Sequence, residues 1–199
     1  MMYGRVGVQL HVSAAEPAHR HTRMHIYVIS NQKGGVGKTT TAVNLAVGLA
    51  RRGQRTLLVD LDPQANATYA LSGPLEPGPT VYHVLIGKQP PDAVIRPSAH
   101  EGLDLLPADI DLAGAEVELV GALSRETRLA RPLDKVQGYD VALIDCPPSL
   151  GLLTVNALVA AHRVLVPLQC EYYALEGLGQ LLRTMELIRG YLNEGLTLG

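Results

Sequence analysis

There is no Phe and no Trp in these 199 residues, so the core has to be packed from Leu, Val, Ile and Ala. Aromatic platforms for single-stranded bases would fall to the eight Tyr. Two cysteines, Cys146 and Cys170, are too few for a disulfide framework and fit a reduced, cytosolic setting. No apolar run reaches the roughly 20 residues of a membrane span. Charged residues make up 18% and the net charge is −2, so no strong overall field draws the chain to nucleic acid or to an anionic membrane, although a local basic patch is compatible with that balance. Residues 1–23 have no apolar stretch of the secretory kind. Met24 directly precedes the first strand-like run, so 1–23 reads as a flexible arm or a mis-assigned start, and 24–199 as the folded domain. His19, His21 and His25 have no Cys or carboxylate close in sequence and are not read as a metal site.

What is present is globular: 47% of residues are hydrophobic. Four short apolar runs stand out, at 26–30, 56–60, 141–145 and 163–168, with a weaker fifth at 103–108. They are continuous rather than alternating, as strands buried on both faces of a parallel sheet are. Helical patterns lie between them. Ala42, Leu45, Ala46 and Leu49 share one face, and Gly53 stops that helix. Asp109 is expected to cap a helix through Leu112, Val117 and Leu119. Another helix is expected from Leu152 to Ala161. Leu178, Leu181, Leu182, Met185 and Ile188 form a stripe on a long helix after Glu171. Strand–helix alternation with right-handed crossovers predicts a doubly wound α/β sheet. The Pro/Gly-rich stretch 73–79 reads as a loop.

Between the first strand and the first helix stands Lys33-Gly34-Gly35-Val36-Gly37-Lys38-Thr39-Thr40. Glycines let successive amides curl around an oxyanion, and the helix start adds its dipole. Lys38 is placed to reach the β- and γ-phosphates of a nucleotide, and Thr39 to ligand Mg²⁺. Position 32 is Gln where the ordinary P-loop has Gly, so the loop fits a deviant pattern with an added lysine, Lys33. Lys33 precedes the cradle, on the side away from the helix. Two readings of it stay open on spacing alone: a solvated loop lysine, or a cation offered to a nucleotide held by a second subunit.

Two acidic segments follow. "LLVDLDPQANAT" ends a buried strand with Asp60 and Asp62. One carboxylate can support the Mg²⁺ shell while the other positions or activates water. "VALIDCPPSL" places Asp145 after four apolar residues, the form of a Walker B acid that holds the metal directly or through water. Pro147 and Pro148 stiffen what comes next. Cys146 has no His partner and reads as packing. His83, His100 and His162 read as surface or satisfied structural residues.

Taken in order, "NQKGGVGKTTTAVNLA", "LLVDLDPQANAT", "YDVALIDCPPSL" and "VPLQCEYYALEGLGQLL" resemble the ParA/Soj family of partitioning ATPases, relatives of MinD and the nitrogenase iron protein. The resemblance runs from about residue 25 to the end. It implies a mainly parallel doubly wound sheet of the deviant-Walker P-loop type, with ATP and Mg²⁺ as cofactors. It also implies a homodimer with two ATP molecules between the subunits, Lys33 acting across the interface and Gly34 at the contact. Lys38 and Thr39 would serve the nucleotide in cis, Asp62 would position water, Asp60 would support the metal shell, and Asp145 would be the Walker B acid. Nonspecific DNA, a ParB-type partner that stimulates hydrolysis, a nucleoid-associated location and no membrane attachment are implied too. Arg183 and Arg189 would contribute to a DNA-binding patch, or be ordinary solvated helix arginines.

Two departures accompany the likeness. Ala65 stands where relatives often have Gly in the turn after Asp62. The chain stops at Gly199, where relatives continue through a further strand, an adenine-contacting loop and a helix, so the carboxyl-terminal part of the fold is expected to be missing. "LTLG" reads as the beginning of that strand. The competing readings are a MinD-like membrane ATPase, which needs a terminal amphipathic helix, and a nucleotide-binding module without turnover. An electron-transfer protein would need cluster-bridging cysteines that Cys146 and Cys170 do not match.

Overall fold

The computed structural model describes residues 24–74, 76–169 and 174–199, without the side chains of 174–176. Its strands are β1 (His25–Ile29), β2 (Thr56–Asp60), β3 (Arg96–Pro97), β4 (Leu103–Leu106), β5 (Val141–Asp145), β6 (Arg163–Leu165) and β7 (Thr197–Leu198). The helices are α1 (Lys38–Ala50), α2 (Asn66–Ser72), α3 (Val81–Leu85), α4 (Leu112–Val120), α5 (Ala130–Leu133), α6 (Leu152–Ala160) and α7 (Ala174–Tyr191). The strands lie in the order β3-β4-β2-β5-β1-β6-β7. Only β3 runs antiparallel to its neighbour, so the parallel, doubly wound sheet expected from the continuous apolar runs is present.

Every residue of β2 and β5 is buried, because helices cover both faces. On one face Val28, Val59 and Ile144 pack with Leu112, Leu153, Leu181 and Met185 from α4, α6 and α7. On the other, Ile29, Leu58 and Leu143 pack with Ala42 and Ala46 of α1 and Leu71 of α2. Each fully buried leucine among these is worth roughly 2 kcal/mol of transfer free energy. Small alanines on α1 let that helix approach the sheet closely. Leu45 and Leu49, expected on the same core-facing stripe, are only half-buried. They line a groove of about 620 Å³ with Tyr27, Leu143 and Leu165.

Several boundaries differ from expectation for identifiable reasons. β4 stops at Leu106 because Pro107 has no amide for the ladder. β6 stops at Leu165, short of the expected 168; next along, Pro167 offers its carbonyl to the Asn31 side chain instead of to a strand. Asp109 does not cap α4: the cap position is Asp111, and the Asp109 carbonyl accepts only a turn bond from Leu112 N–H. Val117 is 76% exposed, since the buried face of α4 is Leu112, Ala115 and Leu119. Leu182 likewise lies at the solvent edge of the α7 stripe. α2, α3, α5 and β3 have no counterpart among the elements expected from the sequence. Gly53 does end the first helix, at φ 80°, and "LTLG" does begin a strand, β7, which pairs with β6.

Candidate nucleotide site

The loops that follow β1, β2, β4 and β5 converge at the carboxyl edge of the sheet, where open α/β sheets bind ligands. Loop 30–37 is pinned at several points. Ser30 N–H donates to the Leu165 carbonyl at 3.1 Å. Asn31 Nδ2 donates to the Pro167 carbonyl at 2.8 Å, and Asn31 Oδ1 accepts the Lys33 amide at 3.0 Å. Gln169 Nε2 donates to the Gly35 carbonyl at 3.3 Å. Gly35 and Gly37 sit at φ 74° and 88°, values that L side chains adopt only with strain. Among the described residues, and apart from each glycine's chain neighbours, no atom lies within 4 Å of where a Cβ would stand on Gly34, Gly35 or Gly37, so the loop faces open space there.

Gly37 occupies the cap position of α1, and no side chain caps that helix. No acidic residue stands in its first turn. The positive end of the helix therefore faces the loop uncompensated. Lys38 begins the helix, is 7% exposed and donates from Nζ to the Lys33 carbonyl at 3.2 Å. Burial lowers its pKa, with Asp145 and Asp62 pulling it back up. Thr39 is half-buried on the same turn, Thr40 is exposed, and Val36 is buried beneath the loop. Lys33 is half-buried, and Gly34 and Gly35 are exposed beside it.

Three carboxylates stand at this end of the sheet, and two of them, Asp145 and Asp62, are close enough to act on Lys38. Asp60 and Asp145 are register partners at the ends of β2 and β5. Asp60 is satisfied by its own chain: Oδ1 accepts the Asp62 amide at 3.1 Å, and Oδ2 accepts the Thr68 amide and hydroxyl at 2.8 Å each. Its pKa is raised by burial, against the opposing pull of the Thr68 bonds. Asp62 Oδ1 accepts the Gln64 amide at 2.9 Å, and the residue keeps 8% exposure. Asp145 contrasts with both. It is fully buried, and neither oxygen has a hydrogen-bond partner of regular geometry. Burial pushes its pKa up to about 7; Thr39 and Lys38 oppose that, while Asp60 and Asp62 add to it. The Asp145 carbonyl in turn accepts the Leu61 amide at 2.9 Å, which ties the Asp60–Asp62 loop to β5.

The structure thus brings Lys38, Thr39, Asp60, Asp62 and Asp145 together. Arg183 and Arg189 lie elsewhere, exposed on α7. Cys146 is buried with its pKa raised well above the usual thiol value, as a packing residue's would be; Cys170 falls outside the described residues. His83 and His162 are structural: their Nδ1 atoms accept the amides of Thr80 and Ile26. Sequence reasoning missed the supporting roles of Asn31 and Thr68. The signal for Asn31 was its place just past the end of the first strand, three residues before Gly34; Thr68 lies on α2, which is too short to show a helical period.

A protein-family model described as an AAA domain matches residues 24–198. The chain is 55% identical over 173 residues to the sporulation initiation inhibitor protein Soj of Bacillus subtilis, covering 86% of this chain and 68% of the relative. It is 54% identical over 173 residues to the chromosome partitioning protein ParA of Myxococcus xanthus, covering 86% and 61%. It therefore spans roughly two thirds of the length of such relatives. Among solved structures it is similar to the cobyrinic acid a,c-diamide synthase of Mycobacterium smegmatis with a bound ATP analogue and magnesium, with TM-score 0.84, 47% identity, and coverage of 88% and 72%. A plasmid partition protein from Borrelia burgdorferi aligns with TM-score 0.74 and 25% identity, covering 89% and 77%.

Proposed function

Because this chain belongs to the ParA/Soj family of partitioning ATPases, we propose that it is an ATP-dependent switch in chromosome or plasmid partitioning. The observation that carries the reading is Asp145, a buried carboxylate facing Thr39 and Lys38 at an uncapped helix start, with neither oxygen in a hydrogen bond of regular geometry. An isolated buried charge is costly. A hydrated divalent cation is what would satisfy it, so the residues present fit Mg²⁺–ATP.

When bound, Mg²⁺ would supply positive charge to neutralise what develops on the phosphates. The residues that would hold it are Thr39 and Asp145, with Asp60 and Asp62 in support. The loop amides from Lys33 to Thr40, with the dipole of α1, bind and orient the phosphates. Lys38, already confined by burial, places its ammonium over them at little reorganisation cost. Asp62 is buried but, unlike Asp60 and Asp145, not completely, and we assign it the orientation of the attacking water.

Lys33 and Gly34 lie on the outer side of the loop, and two copies meeting there would each lend the Lys33 ammonium to the nucleotide opposite. ATP-bound dimers bind DNA without sequence preference and act on the nucleoid, with Arg183 and Arg189 as candidate contacts, and a ParB-type partner stimulates turnover. In energetic terms the nucleotide shifts the dimer equilibrium only through its differential affinity for the two states. No helix among the described residues is long and apolar enough to cross a membrane.

The test is ATP hydrolysis by the purified chain and by its Lys38→Ala and Asp62→Ala variants. The reading expects both variants to lose turnover about 100-fold or more, as for other removals of transition-state contacts. Variants as fast as the parent would contradict it.

A further inference from the structure

Thr68 is 2% exposed, and its hydroxyl has two defined bonds. It donates to Asp60 Oδ2 at 2.8 Å and accepts the Ala108 amide at 3.0 Å. A hydroxyl has one proton to give, so these bonds fix both its direction and its rotamer, and the β-branch stiffens χ1 further. Three segments meet at this one oxygen: the end of β2, the start of α2 and the loop after β4. Asp60 passes the constraint on, because its other oxygen accepts the Asp62 amide at 3.1 Å.

We propose that Thr68 is a positioning residue for Asp62: by clamping Asp60 to the Ala108 loop, its hydroxyl holds the Asp62 turn in the arrangement that orients water. The proposal rests on the ATPase reading above. It assigns Asp60 a share in the site through the Asp62 backbone. The turn needs such a clamp, since Ala65 holds a left-handed conformation, φ 52° and ψ 32°, that alanine does not favour alone.

The test compares Thr68→Val, which keeps shape and deletes the hydroxyl, with Thr68→Ser, which keeps the hydroxyl. Steady-state ATP hydrolysis gives kcat and KM, and a fluorescent ATP analogue gives nucleotide affinity. Thr68→Val is expected to lower kcat about 10- to 100-fold, the usual effect of removing an orienting outer-shell bond. Its affinity should stay within about threefold, the signature of a contact that matters for reaction rather than binding. Thr68→Ser should restore most of the loss. Wild-type kcat in Thr68→Val, no rescue by Ser, or a parallel fall of affinity and kcat would overturn the proposal.

An unmutated chain with no more turnover than Lys38→Ala would refute the ATPase reading instead. In that case, or if Thr68→Val does not fold, amide hydrogen exchange of the parent and Thr68→Ser decides. The Asp62, Thr68 and Ala108 amides should open together at one rate; an Ala108 amide that exchanges independently of Asp62 overturns the clamp.

Discussion

Asp60 and Asp145 face each other at the last rung of the β2–β5 ladder, one with three hydrogen bonds of regular geometry and the other with only Thr39 and Lys38 near it and no such bond. That asymmetry divides their work. A carboxylate whose acceptor sites are filled stabilises a loop; a carboxylate with unfilled acceptor sites has capacity for something from outside. It also makes the fold pay in the apo state, since a buried unpaired charge destabilises it.

Stability without nucleotide should therefore depend on pH through Asp145. Its folded pKa of about 7 lies above the ordinary aspartate value, so the native state binds the extra proton. The stabilisation from that proton is complete below about pH 4 and is lost as pH rises through 7, with a slope of up to about 1.4 kcal/mol per pH unit from this group. Asp145→Asn should flatten that slope in urea melts at pH 5 to 7.5 and abolish stabilisation by Mg²⁺–ATP. An unchanged slope would show that Asp145 is not buried as a lone acid.

Gly34 and Gly37 should respond differently to a side chain. Gly34 has open space around it and no left-handed φ, so Gly34→Val should leave the melting temperature and nucleotide affinity near those of the parent while blocking association of two copies. Gly37 sits at φ 88° at the start of α1, so Gly37→Ala should cost about 1–2 kcal/mol of stability. Melting curves and sedimentation velocity on the two variants separate these effects.

Ala65→Gly should stabilise the chain. Relief of the left-handed strain outweighs the added freedom of glycine in the unfolded state, for a gain of up to about 1 kcal/mol, or some 2–4 °C in melting temperature for a chain of this size. A lower melting temperature would show that the Thr68 clamp makes the turn conformation costless for alanine.

Much of this was legible in the sequence because it rests on local chemistry. The runs around Val28, Leu58 and Leu143 announce buried parallel strands, and Gly35 and Gly37 announce a loop that needs positive φ. Ala65 drew notice only against the family resemblance, as a departure from Gly; its left-handed φ of 52° comes from the structure. What escaped depends on long-range contact. Nothing near Thr68 in the chain shows that its hydroxyl will meet the Ala108 amide 40 residues away. Asp109 looks like a helix cap, yet the helix begins after Asp111. The short helices α2 and α3 have too few residues to print a period. That Asp145 would be orphaned and Asp60 saturated follows from which loops converge, not from either motif.

The dimer tests the account most directly. Sedimentation velocity of the chain with Mg²⁺ and a slowly hydrolysed ATP analogue should show a dimer that is absent without nucleotide. Lys33→Ala, still binding the analogue, should remain monomeric. A Lys33→Ala protein that dimerises as readily as the parent would contradict the claim that this lysine serves the nucleotide of the opposite subunit.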